Sequence, residues 1–340
     1  MPTYINNPVL SDMLPRSEWK GTPLHENGTF INHEFPFLHK FREVIQWKRK
    51  KNLFAQAKKD DVKAVEVKDA GPFLRSKEDG ILWLGHACFF IRLDSINILV
   101  DPVWHPLPLV PQFIPSRNYI DQMDDLDYLL ISHDHRDHCD QKTIEQLCKK
   151  FAKLQVKSGL KMDSLLKPWI RDGNEIECAG WYQKFNISHQ NLSMYFLPTR
   201  HWSKRSLWDA NKRLWGAFVI EYNDYFIYFG GDTGYGNHFQ TLEQLFPKLD
   251  VAIMGIGAYE PRWFMHSNHI SPEDAAVAFI ETKARHMIPM HYGMFDLSDE
   301  PQSQPLQLLF EHAGILGIQD SIIPLVVGER TEIMLDVLNK

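Results

Sequence analysis

His133, His135, Asp137 and His138 fall within six residues, in the run Ser132-His133-Asp134-His135-Arg136-Asp137-His138. Imidazole nitrogens and carboxylate oxygens suit a borderline divalent ion such as zinc. One tetrahedral ion cannot use all four of these side chains and further partners too, so the spacing points to two adjacent ions. Three more candidates each follow an apolar run: His201 after MYFLPTR, Asp232 after YFIYFGG and His291 after HMIPM. Singly, each has a plainer role, since a lone His after a strand is commonly structural and Asp in Gly-Asp-Thr-Gly is a good turn former. Together with the histidine-dense loop they read as one site, predicted to hold two divalent ions, with Zn²⁺ the best match.

Strand ends on a rigid sheet are the usual way to present such groups. ILWLGH, CFFIRL and INILVD are short apolar runs, close enough in sequence to form an antiparallel meander, and DYLLIS is a buried strand running into the histidine loop. A helix is predicted over about 141–151. AFVIEY and YFIYFG are joined by Asn223-Asp224, a hairpin signal. VAIMGIG and HMIPMH flank a helix that Ser271 caps, with Pro272 in its first turn and Asp274 facing its dipole. That order predicts a strand–helix–strand crossover, and the whole predicts two sheets packed face to face with helices outside.

Residues 1–78 differ from the rest, being polar and interrupted by Pro and Gly. They are predicted to form an N-terminal extension packed on a catalytic domain of residues 79–340. One helical pattern stands out there, Phe41, Val44 and Ile45, followed by the basic run Lys48-Arg49-Lys50-Lys51. It reads as a basic face packed on the body, or as an element lying on anionic lipid.

A net charge of -6 leaves no excess of cations for wholesale phosphate neutralisation, so no nucleic-acid partner is expected. Cys88, Cys139, Cys148 and Cys178 are scattered, which fits reduced thiols in the cytoplasm. The N-terminus lacks a signal-peptide pattern, and no stretch approaches the ~20 apolar residues of a membrane span. Peripheral membrane contact and a homodimer both stay open.

The pattern HxHxDH, a distant His, an Asp after a Gly-Gly strand end and a last His resembles the metallo-β-lactamase superfamily. The resemblance implies an α+β fold, a four-layer αβ/βα sandwich with the site at the edge between the sheets. It implies that His133, His135 and His201 bind one ion and that Asp137, His138 and His291 bind the other. Asp232 would bridge them and orient a hydroxide held between. From about Ile81 to Gly314, WLGHACFFI, LVDP, LPTRHWSKRSLWDANKRLWG, GGDTGY and IGAYEPRWFM are similar to the N-acylphosphatidylethanolamine-hydrolysing phospholipase D family. That implies a phosphodiesterase acting on N-acylated membrane phospholipids, releasing an N-acylethanolamine and phosphatidic acid.

His269, in HSNHISPEDA, resembles a contact of that family to the substrate phosphate, and its alternative is an exposed loop histidine. Arg136 is a candidate substrate contact because guanidinium matches a phosphodiester with two parallel hydrogen bonds. It stands where the vertebrate enzymes carry an aromatic residue. His86 reads as structural support under the site. Trp202, Trp208, Trp215 and Trp263 suffice to line an acyl groove, although aromatics of this kind commonly fill cores. The uncharged loop Trp104–Pro115 should hang near the metal rim and meet membrane or protein. Two other activities fit less of the pattern. One is hydrolysis of a small soluble phosphoester or phosphorylated lactone, as in the ascorbate-6-phosphate lactonase branch. The other is a di-iron redox protein, which in the flavo-diiron proteins carries an acidic residue where His135 stands.

Overall fold

A computed structural model describes residues 2–32, 34, 37, 41–61 and 66–331. Strands β1 (Thr3–Ile5), β2 (Ser11–Asp12) and β3 (Thr22–Leu24) come from the N-terminal segment. Next are β4 (Gly80–Gly85), β5 (Cys88–Leu93), β6 (Ile96–Val100), β7 (Tyr128–Ile131), β8 (Gln155–Gly159) and β9 (Glu175–Ala179). They are followed by β10 (Gln183–Lys184), β11 (Leu192–Leu197), β12 (Ala217–Tyr222) and β13 (Tyr225–Phe229). The last are β14 (Val251–Gly255), β15 (His286–Met290) and β16 (Arg330–Thr331).

Two seven-stranded sheets result, in the orders β16-β4-β5-β6-β7-β8-β9 and β15-β14-β13-β12-β11-β10-β2. The runs around β4 are apolar throughout because both faces are covered. Side chains of a strand alternate, so Ile81 and Trp83 point into the core between the sheets. Leu82 and Leu84 point the other way, into a cluster with Ile144 and Leu147 of the helix Gln141–Lys150. The meander β4–β5–β6 is antiparallel, as expected. β14 and β15 are parallel and joined through the helix Pro272–Thr282, whose Ser271 and Asp274 form a reciprocal capping box.

Strands β8 and β9, parallel extensions of the first sheet, are absent from the sequence expectations. Lys157 in β8 and the glutamates of β9 break any apolar run. The fully buried Lys157 escapes that cost by giving its Nζ to Glu177 Oε2 (3.1 Å) and the Asn186 carbonyl (2.9 Å).

The N-terminal segment is fastened at several points. β2 pairs with β10, Trp19 Nε1 donates to the Trp181 carbonyl (3.1 Å), and Trp181 N–H donates to Thr22 Oγ1 (2.9 Å). The basic helix is Phe41–Arg49. The side chain of Phe41 lies outside the described residues. Trp47 anchors the helix, stacking on Phe264 at 5.2 Å and donating to Asp299 (3.1 Å). Lys48 and Lys50 lie over the Trp47 and Trp263 rings.

The loop at residues 104–115 packs in large part on its own chain. Trp104 is buried in the helix-side cluster, while Leu107 and Ile114 pack on Met294 and Phe295 of the same chain. Phe113 N–H donates to the Met294 carbonyl (2.8 Å) and Asp296 N–H to that of Pro111 (2.9 Å), which clamps the segment after His291. Leu109 alone at the tip stands fully exposed. Of the four tryptophans considered for a groove, Trp215 is core, Trp208 is exposed and Trp263 is partly exposed. No helix among the described residues is long and apolar enough to cross a membrane.

Candidate metal centre

Strands β4, β6 and β7 share one direction, because β5 is antiparallel to its two neighbours and β7 is parallel to β6. The same reasoning aligns β11, β13 and β15 in the other sheet. Apart from His269 and those on the loop itself, the polar groups of the cluster follow the C-terminal ends of these six strands. His86 follows β4, Asp101 β6, His133 β7, His201 β11, Asp232 β13 and His291 β15. The two sheets therefore deliver their strand ends to one rim. His86, Asp101 and His291 all have positive φ, 52°, 42° and 64°. Such backbone is costly for residues other than glycine and concentrates at functional sites. Gly257 meets this rim so closely that a Cβ there would lie 2.1 Å from the His291 carbonyl oxygen.

All seven candidates from the sequence converge. His133 Nε2 lies 2.9 Å and His201 Nε2 3.2 Å from His135 Nδ1, with Asp232 Oδ2 3.9 and 3.7 Å from the first two. Across Asp232, His138 Nε2 lies 3.2 Å from Oδ2 and His291 Nε2 3.2 Å from Oδ1. Asp137 Oδ2 is 3.7 Å from His138 Nε2 and 3.5 Å from His291 Nε2. The result is two adjoining four-donor sets, His133/His135/His201/Asp232 and His86/Asp137/His138/His291, with Asp232 against both.

The buried Nε2 atoms of His138 and His291 make no hydrogen bond despite carboxylate oxygens this near. Buried polar atoms without partners are rare, and converging lone pairs of this kind ask for a cation. The electrostatics agree. Burial lowers every imidazole here, holding His133 and His201 well below the usual histidine range. At His138 and His291 the Asp232 carboxylate outweighs burial, pushing His138 well up and His291 to about 9. Burial would raise Asp137 and Asp232, but the His138 charge overrides it and both stay well below the usual carboxylate range. The donor set fits divalent metal ions.

The tautomers are set one layer out. A carboxylate only accepts, so His138 Nδ1–H donates to Asp101 Oδ2 (2.8 Å), leaving Nε2 free toward the cluster. His133 Nδ1–H donates to Ser132 Oγ (2.9 Å), which donates in turn to Asp101. His201 Nδ1–H donates to the Asn268 carbonyl (3.0 Å). His86 Nε2 lies 3.1 Å from Asp137 Oδ2, its ring 4.0 Å from that of His291, in keeping with support. The loop is pinned by Asp134, whose carboxylate accepts from Lys204 N–H (2.8 Å) and Arg213 Nε (2.6 Å), and by Arg205, which donates to the Cys139 carbonyl (2.5 Å).

Asp101, Asp134, Arg205 and Arg213 were not among the sequence candidates. Asp101 left one signal, an acid ending the apolar run INILV and followed by Pro. Asp101→Asn is expected to weaken metal binding about 10–100-fold, because such outer partners hold ligands in register. Chelator competition measures it, and unchanged affinity would remove Asp101 from this role.

Of the substrate candidates, Arg136 is exposed between His135 and Asp137. His269 Nδ1 lies 3.9 Å from Asp232 Oδ2, with its ring 5.3 Å from His201 and 5.4 Å from His291. Burial keeps His269 neutral, lowered to about 3. Trp202 sets its ring edge-on to His135 at 4.7 Å. A recess lined by Asp232, His269 and His291 holds only about 10 Å³. A groove of about 910 Å³ along β9 shares no residue with the cluster.

The sequence profile of the Beta-lactamase superfamily domain matches residues 96–292, more than half of the chain. The chain belongs to the metallo-β-lactamase superfamily. Its two sheets with outer helices are the αβ/βα sandwich of that superfamily. It is 31% identical over 231 residues to N-acyl-phosphatidylethanolamine-hydrolyzing phospholipase D 1 of Caenorhabditis elegans, covering 63% of this chain and 64% of that protein. It is also 31% identical over 249 residues to the mitochondrial N-acyl-phosphatidylethanolamine-hydrolyzing phospholipase D of Saccharomyces cerevisiae, covering 68% and 52%. The chain thus spans less than two thirds of the length of either relative. Among solved structures, the metallo hydrolase Igni18 of Ignicoccus hospitalis superposes with a TM-score of 0.56 at 19% identity, covering 74% of this chain and 97% of that one.

Proposed function

We propose that this chain is a metal-dependent phosphodiesterase that cleaves N-acylphosphatidylethanolamine-type phospholipids in the manner of a phospholipase D. One observation carries the hydrolytic part: Asp232 sets Oδ2 3.7 Å from His201 Nε2 and Oδ1 3.2 Å from His291 Nε2, so it faces both donor sets as a carboxylate shared by two ions would. The roles follow, with His133, His135 and His201 around one ion, Asp137, His138 and His291 around the other, and Asp232 between. Zinc matches this nitrogen-rich set best. When bound there, the ions supply Lewis acidity and a water acidic enough to act near neutral pH.

The protein groups then orient the ester. His269, neutral and beside Asp232, can donate an N–H to a phosphoryl oxygen without adding charge to the cluster. Arg136 is exposed between His135 and Asp137, and its fork would meet the same phosphate. The names of the nematode and yeast relatives support the lipid. The four unpaired cysteines fit the cytoplasm, with contact at the bilayer surface.

A second reading is hydrolysis of a small soluble phosphoester, since the groove of about 910 Å³ that could shelter an acyl chain shares no residue with the cluster. Parallel assays on vesicles containing N-acylphosphatidylethanolamine and on bis(p-nitrophenyl) phosphate separate the two. Turnover of the lipid at rates above the small diester supports the first reading, and turnover of the soluble ester alone overturns it. His269→Ala is expected to lower kcat/KM about 10–100-fold, the worth of one hydrogen bond to a charged group, with metal content unchanged. Metal loss in that variant would make His269 a support of Asp232, and an unchanged rate would take it out of the site.

A further inference from the structure

Among the metal candidates, His201 is held by a side chain from far outside both ligand-bearing sets of strands. Asn32 Nδ2 donates to the His201 carbonyl oxygen (2.7 Å), and His201 N–H donates to Asn32 Oδ1 (3.1 Å). The amide thus closes on the main chain of His201 as a neighbouring strand would, from 169 positions away. Asn32 is buried, at 3% exposure, so water does not compete for these bonds.

The preceding residue is fixed from the opposite side. Arg200 N–H donates to Thr233 Oγ1 (3.0 Å) and Gly234 N–H donates to the Arg200 carbonyl (2.7 Å), which ties it to the loop bearing Asp232. The imidazole is fixed separately, by the bond from Nδ1–H to Asn268. Without Asn32, the main chain of His201 would carry a buried N–H and a buried carbonyl lacking their partners, and it would have to move to find water.

We infer that Asn32 is a positioning residue of the metal centre: through its two bonds to the main chain of His201, the N-terminal segment sets the place of a metal-binding nitrogen. The inference rests on the reading of His201 as a ligand. Metal coordination tolerates only a few tenths of an ångström, so a backbone shift at this point reaches the ion directly.

Asn32→Ala and Asn32→Asp in the full chain are each expected to weaken metal binding about 10–100-fold by chelator competition. Both should alter the absorption spectrum of the cobalt(II)-substituted protein. The Asp variant separates positioning from packing. It keeps the shape and one acceptor but sets a second acceptor against the His201 carbonyl, so a packing role would leave it native. It also serves as the test if Asn32→Ala does not fold. Asn7→Ala is the control, since it removes a different tether of the segment, Asn7 Nδ2 to the Cys178 carbonyl (2.8 Å), and should leave metal binding unchanged. Native affinity and spectrum in Asn32→Asp, or equal loss in Asn7→Ala, overturns the inference. Native affinity in His201→Ala would instead sink the ligand reading on which it rests.

Discussion

Asp232→Ala is expected to abolish phosphodiester hydrolysis, lowering kcat by about 10³-fold or more, or about 4 kcal/mol of transition-state stabilisation. The variant should lose at least one of two ions while keeping native far-ultraviolet circular dichroism. The reason is positional. Asp232 is the one carboxylate against both imidazole groups, with Oδ2 3.7 Å from His201 and Oδ1 3.2 Å from His291. Its removal takes the carboxylate out of the His133/His135/His201 set and leaves Asp137 alone beside His138 and His291. Asp232→Asn should fall between the two, keeping one oxygen without the charge. Metal analysis beside an assay on bis(p-nitrophenyl) phosphate reads both effects. Near-native turnover in Asp232→Ala would end the two-ion assignment.

The second large effect lies away from the ions. Arg213→Met is expected to cost about 3–5 kcal/mol of stability, since it strands a buried carboxylate. Asp134 is fully buried and Arg213 Nε, at 2.6 Å, is its ion partner, while the same guanidinium holds Asp209. Burial alone would lower the Arg213 guanidinium, yet the Asp134 charge raises it above the usual arginine range. Methionine fills much of the same volume, so the loss would report the charge rather than a cavity. Urea unfolding of the metal-free protein measures it. Adding Asp134→Leu to Arg213→Met should recover much of the loss, because both charges are then gone. A single-variant cost under about 1 kcal/mol would show that the pair is solvated and that the metal loop stands without it.

The ligand candidates were legible because each combined a chemically distinctive side chain with a strand end, and strand ends can be read from apolar runs such as YFIYFG and HMIPM. The groups that orient them were not. Asp101 and Asp134 look like ordinary turn and loop acids until the fold buries them, and Arg213 reads as a surface charge in a polar stretch. Nothing near Asn32 in sequence announces its partner, because the contact depends wholly on how the N-terminal segment crosses the domain. Likewise β8 and β9 join the sheet on the strength of neighbouring strands and a paired Lys157, not of their own composition. The apolar content of the loop at residues 104–115 was plain, but the surface that part of it covers, Met294 and Phe295, lies nearly 200 residues away.

The delivery of donors by strands of both sheets also governs the order in which this protein can mature. A nascent chain that has reached residue 138 already presents a local set of imidazoles and a carboxylate, but His201, Asp232 and His291 are drawn in only when the second sheet closes on the first. Contacts of such long sequence separation form late, because the loops between them must first be closed. The full donor set is therefore a product of folding and does not serve as its nucleus. A metal ion that needs the full set would be held only once the two halves of the chain have met in register.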